Sequence, residues 1–426
     1  MLKHFWYRIQ QQLWVIPAIY VLVTTILILF IQLIDHQVLA KWSDFFPSVI
    51  LTSPDLAKDT LGVIAGALLT MTTITFSTTM VVLTTYSSQF SPRTLQNFLT
   101  DKKTLHVLGV FIAGFYYSVV SLVLVRLNTD AEVLLSATVG VLISLLCLGF
   151  FAFFIQHAGT FMQVSNLIRN LVNEGNDRVE KLESFYKKEC VVTSPSTVDT
   201  YSYKHELFFP SHGYVQIIDT DLLFQQAKKI DARIAIQVEI GVYVTPKDCA
   251  LLVHTNEEEI DETALLHAIT IGNERNEKED SMFTIQKLEE IALRAISPAV
   301  NDPHTAIDCL EQIGRVLGLL IKHDSEYAAY HEDGKQRVVL KQRSIQDMLY
   351  TSYNKIVAYA SDISVILAVL RSYKTVVKYN HGKVKKEMLV MLDYVDHRMK
   401  DLSMHTLDDR YYERLVHEIR EELDKE

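Results

Sequence analysis

In the uncharged stretch TMTTITFSTTMVVLTTYSSQF, Thr70 to Phe90, about half of the residues are Thr or Ser. At 100° per residue on an α-helix, Thr70, Thr73, Ser77, Thr84 and Ser88 fall within about 60° of one another, with Val81 interrupting the row. Thr72, Thr75 and Thr79 form a second stripe on the opposite side. A row of hydroxyls can replace part of an ion's hydration shell without holding the ion tightly, which is the chemistry of a permeation path. The same groups can instead bond their own i−4 carbonyls, or serve as small residues in close helix packing. One stripe at most can face a water-filled path, and the other has to pack. Because β-branched residues this dense also suit a strand, the flanking sequence must decide the element.

The chain has 426 residues, 49% of them hydrophobic, and a net charge of −10. Up to His157 there are eight Lys/Arg against seven Asp/Glu, and from Ala158 onward 33 against 44. An apolar, nearly neutral part therefore precedes an acidic one. Four segments free of Asp, Glu, Lys and Arg, about 13–34, 61–85, 104–125 and 133–155, reach the roughly 20 residues that a helix needs to cross a hydrocarbon core. The hydroxyl-rich stretch belongs to the second. A lone strand cannot satisfy its backbone in lipid, so the stretch is expected to be helical.

Lys3 and Arg8, then Arg93, Lys102 and Lys103, then Arg169 and Arg178 lie on one side of these spans, so the positive-inside rule places both termini and the acidic part in the cytoplasm. A cleavable signal is not expected, because the first apolar run is too long for one. Gly62, Gly66 and Ala67 form a small-residue row that favours a close helix neighbour. After the second span, FSPRTLQNFLTDKK reads as a short interfacial helix that sets Arg93, Lys102 and Lys103 near lipid phosphate or a pore mouth. No charge sits at midspan, which argues against a proton-coupled transporter or pump.

From Ala158 to about Lys188 helical spacing continues, so the fourth span is expected to run on as a stalk. Short β-rich runs between Tyr201 and His254 read as a small β barrel or sandwich, interrupted by a helix capped by Thr220 or Asp221. The rest reads as a mainly helical region with a hairpin turning at Asp333-Gly334 and three closing helices, about 342–379, 384–403 and 407–424. Within it, ISPAVNDPHTA carries two capping signals, Ser297 before Pro298 and Asp302 before Pro303. Arg294, Ser297, Asn301, Asp302, His304 and Thr305 gather there beside a fresh helix N-terminus that could hold an anion, or that simply makes a self-capped turn at a domain or subunit contact. The expected architecture is thus an α-helical four-span membrane domain (1–157), a stalk and linker (158–195), a small β-rich domain (196–256) and a helical cytoplasmic domain (257–426).

The four cysteines, Cys147, Cys190, Cys249 and Cys309, have no metal-binding spacing. Nucleophile elbow, P-loop, dinucleotide fingerprint and HExxH are all missing from the sequence. No enzyme, cofactor or metal is therefore expected, and the acidic balance disfavours nucleic acid. The expected partners are the lipid bilayer, further copies of the chain and a small ion.

FSPRTL after a hydroxyl-rich span, GYVQIID, and IGNERNEKEDSMFTIQKLEEIALRAISPAVNDPHTA resemble the bacterial predicted membrane proteins of the domain-of-unknown-function 2254 family. The resemblance covers nearly the whole chain. It departs at His304, where an aromatic such as Phe is expected, and at Asn276, where Thr is. It implies an integral membrane protein of bacterial type and supplies no activity, substrate or catalytic residue. The expectation drawn from the residues is a homo-oligomeric channel-like protein of the inner membrane. The alternative is a membrane-anchored sensor or scaffold.

Overall fold

The computed structural model describes residues 14–35, 47, 51–89, 101–127, 133–161, 163–188, 191–192, 201–275, 280–323, 328–341, 343–400 and 405–425. The chain divides into two compact units, Met1–Asn166 and Leu167–Glu426.

In the first unit the apolar runs form α1 (Val15–Leu33), α2 (Pro54–Gln89), α3 (Lys102–Leu127) and α4 (Ser136–Phe161). All four are long and apolar enough to cross a membrane. Pro54 opens α2 at the position where its missing N–H costs nothing, and Asp55 complements the positive end of the helix dipole. The 36 residues of α2 span about 54 Å, well beyond a hydrocarbon core of about 30 Å. At the centre lies α3, packed against α1, α2 and α4, while α2 also packs on α4. Ile28, Leu61, Tyr117, Val125 and Leu134 form part of the shared core. Gly140 lets α4 approach closely, because a Cβ there would stand 2.8 Å from a Leu61 methyl.

The helix that starts the second unit, α5 (Val164–Tyr186), is not a continuation of α4. At the junction the Gln163 N–H bonds the Thr160 carbonyl at 3.3 Å and the Asn166 side-chain amide bonds it at 2.7 Å. The expected stalk is therefore interrupted by a side-chain-tied break. There follow β1 (Val191–Val192), β2 (Tyr203–Phe208), β3 (Gly213–Ile218), α6 (Thr220–Lys229), β4 (Arg233–Ile236), β5 (Tyr243–Val244), β6 (Cys249–Thr255), α7 (Glu262–Leu266), β7 (Ile269–Gly272), α8 (Ser281–Ala295) and α9 (Pro303–His323). The chain closes with β8 (Ala329–Glu332), β9 (Lys335–Val339), α10 (Ile345–Tyr359), α11 (Ile363–Asn380), α12 (Lys385–Met399) and α13 (Thr406–Leu423).

The strands make two open sheets rather than a closed barrel. One has the order β1-β8-β9-β4-β6-β2 and the other β5-β3-β7. Every pairing is antiparallel except β4 with β9. Strands thus come from well outside 196–256, because the hairpin that turns at Asp333-Gly334 inserts beside β4. Alternate residues Ile234 and Ile236, and Leu251 and Val253, point into one core with Val338, with Leu223 and Ala227 of α6, and with Val215 and Ile269 of the smaller sheet. The apolar run after Ala232 turns at Gly241, which takes φ 86°. The cap of α6 is Asp219, not Thr220 or Asp221, its carboxylate accepting the Leu222 N–H at 2.9 Å.

The expected helix 342–379 is two helices, α10 and α11, because Asp362 caps a new start. In the helical part α9 packs most extensively on α11, with α8 against α9 and α10. At the α9–α11 crossing Ser372 Oγ donates to the Leu310 carbonyl and shares a 2.7 Å bond with Tyr353 Oη. A Cβ on Gly314 would lie 2.5 Å from that Oγ. Gly314→Val is expected to lower stability by about 2 kcal/mol through overpacking, read as a lower Tm of the full chain in detergent. An unchanged Tm would show that the crossing tolerates separation.

Candidate functional site

The hydroxyls of α2 separate by environment. Thr70, Thr73, Ser77 and Thr84 are exposed, whereas Thr72 and Thr79 are half-buried and Thr75 is buried against the rest of the unit. The second stripe therefore packs. Thr70, Thr73 and Thr84 donate to the carbonyls of Gly66, Leu69 and Met80 at 3.0, 2.9 and 2.8 Å. Thr72 and Thr79 do the same towards Leu68 and Thr75 at 2.7 and 2.8 Å. Such i−4 bonds satisfy each hydroxyl proton inside its own helix, and the oxygen keeps acceptor capacity. Gly62 and Gly66 continue the exposed stripe, and a Cβ on either would meet nothing within 4 Å. The close neighbour that these glycines suggested is therefore not supplied by the described residues of this chain. Together with Met80 they make a strip about 80° wide, bordered by exposed Leu69 and Phe76 on one side and by Val63, Ile74 and Val81 on the other. The side chains of Ser88 and Lys102, the whole of Arg93 and nearly all of FSPRTLQNFLTDKK lie outside the described residues. Lys103 is exposed at the start of α3.

Polar ties fasten the ends of the spans, and the sequence did not disclose them. Asp35, 3% exposed, accepts the Leu135 N–H at 2.8 Å just ahead of α4. Tyr117 Oη donates to the Ser136 carbonyl at 2.8 Å. The backbones of Thr52 and Leu134 pair in both directions, at 3.0 and 2.9 Å. At the opposite end of α3, Asp101 accepts from Thr104 and lies 2.8 Å from His157 Nε2. His106 meets Tyr20 Oη at 3.1 Å. Both histidines thus tie their helices to other helices or loops of the unit. Burial raises the Asp35 carboxyl above the ordinary carboxylate range, against the pull of the Leu135 and Ser136 N–H groups.

In the second unit, the turn from 294 to 305 brings its expected residues together and ties them largely to one another. Ser297 Oγ donates to the Arg294 carbonyl at 2.6 Å and starts no helix. Asn301 takes φ 52°, and the Asp302 N–H reaches back to the Ala295 carbonyl at 2.8 Å. Asp302 caps α9 by accepting the Thr305 N–H at 3.2 Å and its hydroxyl at 2.6 Å. The Thr305 hydroxyl, ahead of the backbone bonds, holds Asp302 below the usual carboxylate range. His304 is exposed. A cluster not singled out from the sequence lies just upstream, where Arg275 pairs with Asp280 and stands 4.7 Å above the Phe283 ring, with Lys287 5.1 Å from the same ring. No group of His, Cys, Asp and Glu suited to a metal occurs among the described residues.

Four apolar helices of spanning length followed by an α+β unit define a multi-span α-helical membrane protein. The chain belongs to the predicted membrane protein family DUF2254, whose family model matches residues 10–375. It is similar to the uncharacterized proteins Mb1321c of Mycobacterium bovis and Rv1290c of Mycobacterium tuberculosis, each 28% identical over 281 residues. Those matches cover 63% of this chain and 53% of each relative, so the chain spans about half the length of the curated relatives it matches. No solved structure matches it.

Two outcomes follow from the carboxylates. With its folded pKa raised, Asp35 loses stabilising effect as pH rises from about 4 through the raised value. Asp35→Asn should keep an acceptor for Leu135 and flatten that slope, while Asp35→Ala should cost about 1 kcal/mol through the lost bond. Tm measured at pH 5 and pH 8 tests this, and an undiminished slope in the Asn variant would refute it. Asp302, with its folded pKa lowered, stabilises above about pH 4 and loses that effect as pH falls through the folded value. Asp302→Ala should therefore be about 1 kcal/mol less stable at pH 7, a difference that thermal melts should find shrinking below about pH 4.

Proposed function

We propose that this protein is a homo-oligomeric channel-like protein of the inner membrane, passing small ions or solutes along the exposed strip of α2. Both termini are cytoplasmic in this reading, and the second unit assembles or gates the subunits. The observation that carries it is the exposure of Gly62, Gly66, Thr70, Thr73, Ser77 and Thr84 in one row, uncovered by the described residues of the chain. A lone helix surface in lipid has no use for a row of glycines and hydroxyls, whereas the same row, although Met80 and Val81 interrupt it, gives an ion several oxygen acceptors when turned towards a symmetry axis. The bordering Leu69, Phe76, Val63, Ile74 and Val81 suit contacts with neighbouring subunits and lipid. Ser297, Asp302 and Thr305 are engaged by one another and by their own backbone, so the 294–305 turn lends the sensor alternative little weight.

Purified protein in planar bilayers should conduct, and Thr73→Trp and Ser77→Trp should each reduce the conductance at least tenfold, while Trp at lipid-facing Leu142 of α4 should leave it unchanged. Silence across a wide range of salts, or equal currents from all variants, would reject the proposal.

A further inference from the structure

The larger sheet ends in β2, and no further strand among the described residues lies beyond it. An edge strand presents a row of unpaired backbone N–H and C=O groups, ready to pair with another extended chain. Its sequence is Tyr203-Lys204-His205-Glu206-Leu207-Phe208. Lys204 and Glu206 share one face, both about half exposed, and form an ion pair at 2.7 Å. Tyr203 and Phe208 are 40% and 45% exposed at the two ends. This order of charges is self-complementary under a two-fold rotation about His205. An antiparallel copy centred there sets Lys204 opposite the partner's Glu206 and Glu206 opposite the partner's Lys204. A slip of one residue in either direction would lose both pairings.

We infer that β2 pairs antiparallel with β2 of a second copy of this chain, about a two-fold axis at His205, joining two six-stranded sheets edge to edge. Opposite charges directly across an antiparallel pair stabilise it, and like charges directly across destabilise it. The symmetry doubles either effect. This interface extends the homo-oligomer reading to the second unit but does not require that the membrane unit conduct.

On the axis, residue 205 of each chain faces its own copy with Cα atoms about 4.5–5.5 Å apart, inside the range that a disulfide bridges. His205→Cys in the full-length protein, oxidised with copper phenanthroline in membranes, should give an interchain crosslink at least tenfold above that of the wild type, whose native cysteines set the background. Adding Lys204→Glu or Glu206→Lys singly to His205→Cys should cut the crosslink about tenfold, because each reversal places like charges opposite one another twice. Co-expressing the two reversed chains with different tags should restore a crosslink between unlike chains only, since acid then faces base at both positions. That recovery is beyond a variant that merely misfolds. A His205→Cys chain that does not crosslink, or a crosslink indifferent to the charge reversals, would overturn the inference. A crosslink in a protein silent in bilayers would uphold this interface and reject the channel.

Discussion

Inside a lipid bilayer every backbone N–H and C=O has to find its partner within protein. That requirement explains why a segment so rich in β-branched residues is the longest helix among the described residues. It also explains where the hydroxyl protons go, since Thr70, Thr72, Thr73, Thr79 and Thr84 each turn back to a carbonyl one turn earlier. Those five oxygens therefore carry no unsatisfied donor, which lipid, a neighbouring helix or water can tolerate, whereas the buried Thr75 hydroxyl has no such partner among the described residues. The same rule governs the ends of the spans. There Asp35 takes an N–H ahead of α4, and Asp101 serves both Thr104 and His157.

Much of the membrane unit was legible because uncharged runs of spanning length have few other uses. The angular split of the α2 hydroxyls could be computed from spacing alone, and the buried stripe Thr72, Thr75 and Thr79 is on the side that packs. The end ties were not legible, because Asp35 and Leu135 are 100 residues apart and nothing local marks them as partners. In the second unit the Asp333-Gly334 hairpin could be read from its turn residues. Its insertion beside β4 could not, since parallel pairing with a distant strand leaves no trace in local alternation. The barrel expectation failed for the same reason, as strand order is a property of long-range contacts. One break stayed hidden, the cap at Asp362, which lies inside a continuous helical pattern.

The acidic balance of the second unit has a partly structural origin. Asp219, Asp261, Asp280 and Asp362 each place a carboxylate on the first N–H groups of a helix, where the helix dipole favours negative charge. Asp302 does so as well for α9. Several of the negative charges are thus spent on starting helices. Charge counted along a sequence overstates the field that the folded unit presents to its surroundings.

The break between α4 and α5 bears on mechanics. An unbroken helix behaves as a torsionally stiff rod, its stacked hydrogen bonds passing a twist at one end to the other. Between Phe161 and Val164 that stack stops, and the Asn166 amide on the Thr160 carbonyl holds the chain instead. A twist of α4 would therefore reach α5 through a side chain as well as through the backbone.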